Sequence, residues 1–277
     1  MSKKQCFAGF FGVFLIPFFP ERVSRLQNTN FTLAENTDSY KFIDKLLRLG
    51  LIYKVIKEGN THSLTSYHFQ FWKSEEAANY HRKEQDSAPI VPQFSYMIDE
   101  LKALVDQQEN EIDMVCEIGS GSGLLIHHLS EEISNVERFI GLDLSEETIS
   151  DCNKKYENKK LSYIATDASE WLKSQEDKNW VLVSHRGVLE YFNKEILLDL
   201  FKHIKTQNAK SIFIIIEPVG IEHDLTNDKN SQPYSNEFSF SHNYEHLFST
   251  AGYKVIHSKI EPYKANVRLH GLIAETD

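Results

Sequence analysis

Two regimes of apolar spacing divide the chain near residue 110. Before that point the spacing is mainly helical. In "SYKFIDKLLRLGLIYKVIK", Phe42, Leu46, Leu49 and Ile52 or Ile56 fall on one helical face, and Leu47, Leu51 and Val55 widen the stripe. "SEEAANYHRK" opens with a serine cap signal and acids in the first turn. "APIVPQ" interrupts the pattern, and "FSYMIDELKALVDQQ" resumes a helix. Past residue 110, short apolar runs alternate with longer amphipathic stretches. The runs "DMVCEIG", "RFIGLDL", "LSYIATD", "WVLVSH" and "SIFIIIEPV" read as strands. Between them, "GLLIHHLSEEI", "SEETISDCNKKY", "ASEWLKSQ" and "NKEILLDLFKHIK" read as helices. Strands without in-out alternation, separated by helices, predict an α/β fold with a parallel sheet covered on both faces. The tail differs. "SHNYEHLFSTAG" reads as a helix, and "YKVIHSKIEPY" with "VRLHGLIAET" predicts an antiparallel hairpin at the sheet edge. The expected division is a mainly helical lid or arm over residues 1–110 and an α/β domain over residues 111–277.

The opening "MSKKQCFAGFFGVFLIPFFP" sets two lysines before an apolar run that ends at Pro20, the order of a signal peptide. It lacks a small-x-small cleavage site, contains Pro17, is dominated by phenylalanine, and is short for a membrane span. Phe7, Phe10, Phe11, Phe14 and Phe18 fall near helical spacing. The leading expectation is an arm packed on the core or on a partner subunit, as in a homodimer. Contact with a membrane surface through residues 6–20 comes second, and targeting third.

Charge and cysteine content narrow the setting. The net charge of −10 argues against a nucleic-acid partner, because phosphates are held by Lys and Arg. Cys6, Cys116 and Cys152 show no CxxC spacing, so neither a disulfide framework nor a cysteine zinc site is expected, and a reducing cytoplasm is the simplest location.

The chemistry concentrates in "VCEIGSGSGLL", residues 115–125. Gly119, Gly121 and Gly123 give G-x-G-x-G, whereas a dinucleotide fingerprint needs G-x-G-x-x-G and would have glycine in place of Leu124. Glu117 ahead of the loop would repel a pyrophosphate and suits a ligand with an ammonium group. The stretch "EIGSGSG" resembles the first motif of the class I S-adenosylmethionine-dependent methyltransferases: an acid, one spacer and G-x-G-x-G. The resemblance spans roughly residues 111–277 and implies a Rossmann-like, doubly wound, mostly parallel sheet. It implies S-adenosylmethionine as cofactor, with Glu117 near its amino acid or sulfonium end and the glycine backbone beneath the ligand. Asp143, ending "FIGLD", would accept hydrogen bonds from the ribose diol. Asp167, ending "YIATD", would meet the adenine amino group, with the Ala168 backbone at the ring edge and Leu144 over one face. Either aspartate alone reads equally well as a helix cap.

The fourth strand leads to the methyl side of such a site. Ser184, His185, Arg186 and Gly187 stand there, in place of the Pro-Pro-aromatic motif of base-modifying relatives, and no cysteine nucleophile is near. With the acidic charge, this argues against DNA and leaves RNA and protein substrates open; the expected acceptor is a small molecule attacked through oxygen or nitrogen. Ser184 is expected as a further cofactor contact. His185 is the first candidate base, by strand-end position and ordinary histidine pKa. Past the fifth strand come Glu217, His223, Asp224, His242, Asn243 and His246. Ser241 is expected to cap the helix whose first turn holds His242, the second catalytic candidate. His242 and His246 lie one turn apart, yet no specific metal motif is present and no metal is expected. Tyr80 and His81 would close over the acceptor. Phe71 and Trp72 read first as core, then as pocket lining. Two other functions compete: an NAD-dependent oxidoreductase, disfavoured by Leu124 and Glu117, and a non-catalytic S-adenosylmethionine-binding scaffold.

Overall fold

The computed structural model describes every residue except 2, 34–38, 84–87, 108–111, 176–177, 209 and 277. The division expected at 110/111 therefore lies outside the described residues. The α/β part is built from β1 (Met114–Ile118), α7 (Leu124–Glu132), β2 (Phe139–Asp143), α8 (Glu146–Lys155), β3 (Leu161–Ala165), α9 (Ala168–Lys173), β4 (Asn179–His185), α10 (Lys194–Gln207), β5 (Lys210–Gly220), α11 (Tyr244–Ala251), β8 (Lys254–Lys264) and β9 (Val267–Glu275). The sheet order is β3-β2-β1-β4-β5-β9-β8. The first five strands are mutually parallel, and β9 runs antiparallel to both β5 and β8. This is the doubly wound sheet with its antiparallel hairpin.

The unbroken apolar runs have a direct cause. Along β1, Val115 enters one core while Met114, Cys116 and Ile118 enter the other. Along β5, Ile212, Ile214 and Ile216 face the first core, and Phe213 and Ile215 the second. Both these strands bury both their faces, so alternation disappears from their sequence, whereas β3 and β8 keep exposed positions. The first core is closed by α7, α8 and α6 (Tyr96–Gln107), the second by α9, α10 and α11. The order reverses between β1 and β4, so the carboxyl ends of β1, β2 and β4 open onto one crevice.

A set of N-terminal helices flanks the sheet, and its last two members wall that crevice. The set comprises α1 (Lys3–Leu15), α2 (Pro20–Asn28), α3 (Phe42–Glu58), α4 (Thr61–Trp72) and α5 (Glu75–Lys83). Asp44 ties two of them. It accepts the Lys41 N–H at the start of α3 (2.9 Å) and takes both oxygens to Arg22 of α2 (2.8 Å each). A short hairpin, β6 (Gln232–Tyr234) with β7 (Ser239–Ser241), lies between β5 and α11. It joins these helices through Arg48 of α3, which donates to the carbonyls of Phe31, Asn236 and Glu237.

The arm α1 packs inward through glycine rather than phenylalanine. A Cβ on Gly12 would lie 2.0 Å from the Leu46 carbonyl, and one on Gly50 would lie 2.5 Å from the Gly12 backbone. The phenylalanine face is left outward, with Phe7 68% and Phe18 75% exposed. Among the described residues no single helix is long and apolar enough to cross a membrane; Lys3–Phe18 and Pro20–Asn28 together pass by length and composition but are bent by 114°.

Candidate active site

The loop after β1 is held in a shape that needs glycine. Gly119, Gly121 and Gly123 all have positive φ, at 70°, 48° and 73°. There is no room for side chains either: a Cβ on Gly119 would sit 2.5 Å from Val188, and one on Gly121 would sit 2.8 Å from the His81 ring. Glu117 lies under this loop, 3% exposed, and one of its oxygens accepts the Ile126 N–H of α7 at 3.0 Å. Burial raises its pKa well above the ordinary carboxylate value, nearby Asp143 adds to the rise, and Arg186 partly opposes it.

Asp143 ends β2. Its Oδ2 accepts the Gly121 N–H at 3.0 Å, and its Oδ1 accepts the Ser145 N–H at 2.9 Å, so it also fixes the glycine loop. Asp167 caps α9 through Oδ1, which accepts from the Ser169 N–H (2.9 Å) and hydroxyl (2.7 Å). Both aspartates, with Leu144 and Ala168, line one cavity of about 190 Å³. A second cavity beside Cys152 measures about 10 Å³, too small for any ligand of this kind.

The same cavity is walled by His185, Arg186, Gly187 and Val188 after β4, by Tyr191 and Phe192, by Phe69, Trp72, Tyr80 and His81 of α4 and α5, and by Glu237. The rings form a continuous surface. Trp72 lies 5.4 Å from His81, 5.9 Å from Tyr80 and 5.3 Å from Tyr191, centroid to centroid. The Tyr191 hydroxyl donates to Glu237 at 3.0 Å. Phe71 instead belongs to the core, 1% exposed.

Of the residues singled out in the sequence, Glu117, Gly119, Gly121, Asp143, Leu144, Asp167, Ala168 and His185 meet at this cavity. Gly123 stands behind it, as the left-handed residue preceding α7, with its carbonyl accepting from the Tyr163 hydroxyl at 2.9 Å. Ser184 is also behind: its hydroxyl donates to Glu217 at 2.6 Å. Glu217 in turn accepts the N–H groups of Val188 and Leu189 and so braces the turn after β4. Burial raises its pKa to about 7.

His185 reaches the cavity in a different chemical state from the one its type suggests. Burial, with Arg186 next in effect, lowers its pKa to about 3. Its Nε2 accepts the Val91 N–H at 3.3 Å. The ring is neutral near pH 7, and the lone pair that a base would use is engaged.

His242 requires a larger correction. It lies before α11, not in it, and outside the cavity lining. Its Nδ1 accepts from the Ser231 hydroxyl (2.6 Å) and its Nε2 donates to the Phe192 carbonyl (3.0 Å), so it pins the end of the short helical turn at residues 189–191 from behind. Burial lowers its pKa to about 3. The cap of α11 is Asn243, accepting the His246 N–H at 3.1 Å, while Ser241 bonds Gly220 and His223. Asp224 turns its own loop by accepting from Thr226 and Asn227. Among the described residues no group of three or more His, Cys, Asp or Glu is arranged to hold a metal ion.

Tyr191, Phe192 and Glu237 were not singled out in the sequence. Tyr191 follows the fourth-strand turn and carried a weak positional signal. Glu237 had none, because it reaches the cavity from a hairpin loop 46 residues from its partner.

Residues 115–207 match the family model described as a methyltransferase domain. No curated protein matches the chain. Among solved structures, the magnesium protoporphyrin IX methyltransferase of Synechocystis with bound S-adenosylmethionine is 14% identical, with a TM-score of 0.51, covering 77% of this chain and 97% of that one. The same enzyme with bound S-adenosylhomocysteine gives 14%, 0.51, 77% and 99%. The 1,6-didemethyltoxoflavin N1-methyltransferase of Burkholderia thailandensis is 15% identical, with a TM-score of 0.48, covering 74% of this chain and 87% of that one. At these identities the structural likeness concerns the fold. The fold and the family match over residues 115–207 both agree with the class I S-adenosylmethionine-dependent methyltransferase resemblance carried by the glycine loop.

Proposed function

We propose that the protein transfers the methyl group of S-adenosylmethionine to an oxygen or nitrogen of a small-molecule acceptor held beneath the N-terminal helices. The observation that carries this is the continuity of one cavity from Asp143, Asp167 and the glycine loop to the aromatic wall of Trp72, Tyr80 and Tyr191. In this reading Asp143 accepts from the ribose hydroxyls, Asp167 meets the adenine amino group, and Leu144 and Ala168 flank the ring. Glu117 lies toward the amino acid end. Ionising it against a ligand ammonium would offset the burial that raises its pKa.

The reaction itself is a single displacement. An acceptor lone pair attacks the methyl carbon, the carbon–sulfur bond breaks, and its electron pair stays on sulfur. The protein's contribution is alignment in a site from which water is excluded. His185 is a positioning residue here: its bond to the Val91 N–H fixes the segment that closes the methyl side. Free Cys6, Cys116 and Cys152 suit a reducing cytoplasm.

Calorimetry with S-adenosylmethionine, S-adenosylhomocysteine and NAD, followed by turnover against a metabolite library, tests the reading. Both adenosyl ligands should bind and raise the melting temperature by mass action. Tight NAD binding without response to either would sink it.

A further inference from the structure

The wall of the cavity can be followed residue by residue away from the cofactor loop. His81 rests on Gly121, Trp72 on His81, Tyr191 on Trp72, and Glu237 on the Tyr191 hydroxyl. Glu117, Asp143 and Asp167 ring the end that suits the cofactor. Glu237 stands at the other end of this chain of contacts, a carboxyl group among aromatic faces.

We propose that the acceptor carries a protonated amine, seated against the Glu237 carboxylate and the faces of Trp72 and Tyr191. The proposal rests on the methyltransferase reading above and names the acceptor class for it.

Two physical arguments favour a cation over the alternatives. An acceptor that covers Glu237 removes its water, and a buried carboxylate without a cationic partner is costly. A neutral acceptor would leave that cost standing, and an anionic one would add repulsion. Burial raises the Glu237 pKa, and the Tyr191 hydroxyl, Arg48 and Lys264 oppose the rise; the Arg48 guanidinium also donates to three backbone carbonyls, including that of Glu237 itself, so a ligand cation would add to this opposition. Electron-rich ring faces attract a cation through their quadrupoles, most strongly for tryptophan, and the effect grows when water is excluded. Glu190, next to this carboxyl and also buried, is turned to the Tyr234 hydroxyl (2.5 Å) and the Ser239 hydroxyl (2.6 Å), so Glu237 is the carboxyl of the two that lines the cavity.

The test compares probes of one shape and different charge. Phenethylamine, 2-phenylethanol and 3-phenylpropionate would be titrated calorimetrically at pH 7, with and without saturating S-adenosylhomocysteine. The amine should bind at least about tenfold more tightly than the alcohol, the scale of one desolvated charge pair or cation–π contact. Glu237→Gln should abolish that preference while leaving S-adenosylhomocysteine affinity unchanged, and Trp72→Leu should reduce it. Equal or tighter binding of the alcohol or the acid, absence of amine binding, or a preference that survives Glu237→Gln would overturn the proposal. Failure of S-adenosylhomocysteine to bind would sink the methyltransferase reading instead, and the probe comparison without it would still decide this one.

Discussion

Asp143 supports the glycine loop and faces the cofactor space with the same carboxylate. Its bonds to the Gly121 and Ser145 N–H groups use two acceptor positions, and a carboxylate has about four. The remaining positions suit a ribose diol. Asp143→Ala should weaken S-adenosylhomocysteine by about 2–3 kcal/mol, the scale of lost hydrogen bonds to a charged group. It should also lower the melting temperature, because two backbone donors lose their partner. Calorimetry and a melting curve on the same sample check both, and an unchanged affinity would reduce Asp143 to a loop brace. His185 makes the opposite kind of prediction. With its pKa lowered to about 3, it stays neutral throughout the working range and contributes no step to the pH–rate profile between about pH 5.5 and 8. His185→Ala should leave S-adenosylhomocysteine affinity intact and slow turnover by up to about 10²-fold through misalignment, with the profile unchanged in shape. A wild-type ionisation near the ordinary histidine pKa that vanishes in the variant would restore the base. The cavity lining around the glycine loop was legible in the sequence because Glu117, Gly119 and Gly121 lie in one short stretch, Asp143 ends β2 and Asp167 stands just past β3. Burial was not legible: nothing in "VSHRG" tells that His185 is enclosed, and nothing near Glu237 tells that it faces Tyr191.

The helical spacing of the phenylalanines in α1 predicted a helix and left its packed face unread. That face is set by Gly9 and Gly12, which let the backbones of α1 and α3 approach at Gly50. A side chain there would have to push a helix backbone, which cannot yield as a flexible side-chain end does. Gly12→Ala should therefore destabilise the protein by about 1–3 kcal/mol, the usual range for overpacking a filled contact. Phe7→Ser, on the outward face, should change stability by less than about 0.5 kcal/mol. Denaturant unfolding of the two variants checks the contrast; a larger loss from Phe7→Ser would show that the phenylalanine face is covered in solution. Strands such as β1 and β5 were legible for the opposite reason, since burial on both faces turns them into apolar runs. The hairpin of β6 and β7 escaped, because three-residue strands carry too few positions for any period to show. Ser241 was misread with it: it reads as a cap because it precedes a helix, but it ends β7 and bonds backward to Gly220.

Across the whole molecule, buried titratable groups of two kinds set opposing demands on pH. His68, His185 and His242 have pKa values lowered to about 3, and His270 to about 4, all mainly by burial. Unfolded, each takes a proton below its ordinary value of 6.5, while the folded state does not. Their contribution to stability is thus complete above that value and is lost as pH falls below it. Each loses up to roughly 1.4 kcal/mol per pH unit. Glu190, raised to about 8, and Glu217, raised to about 7, act in reverse. Folded, they keep protons that the unfolded chain releases above the ordinary value of 4.5, so their contribution is lost as pH rises toward their folded values. Between these two ordinary values the slopes oppose one another. Above 6.5 only the carboxyl groups act, and below 4.5 only the histidines do. Between those values the four histidines outweigh the two carboxyl groups, so the ligand-free enzyme should be most stable at about pH 6.5 and lose stability both toward pH 8 and toward pH 3.5. Urea midpoints measured at about pH 4, 6.5 and 8 would show the maximum in the middle. Glu190→Gln, which keeps an acceptor for Tyr234 and Ser239, should flatten the alkaline limb and leave the acid limb in place. A midpoint that rises steadily to pH 8 would mean that the buried carboxyl groups ionise freely in the folded protein.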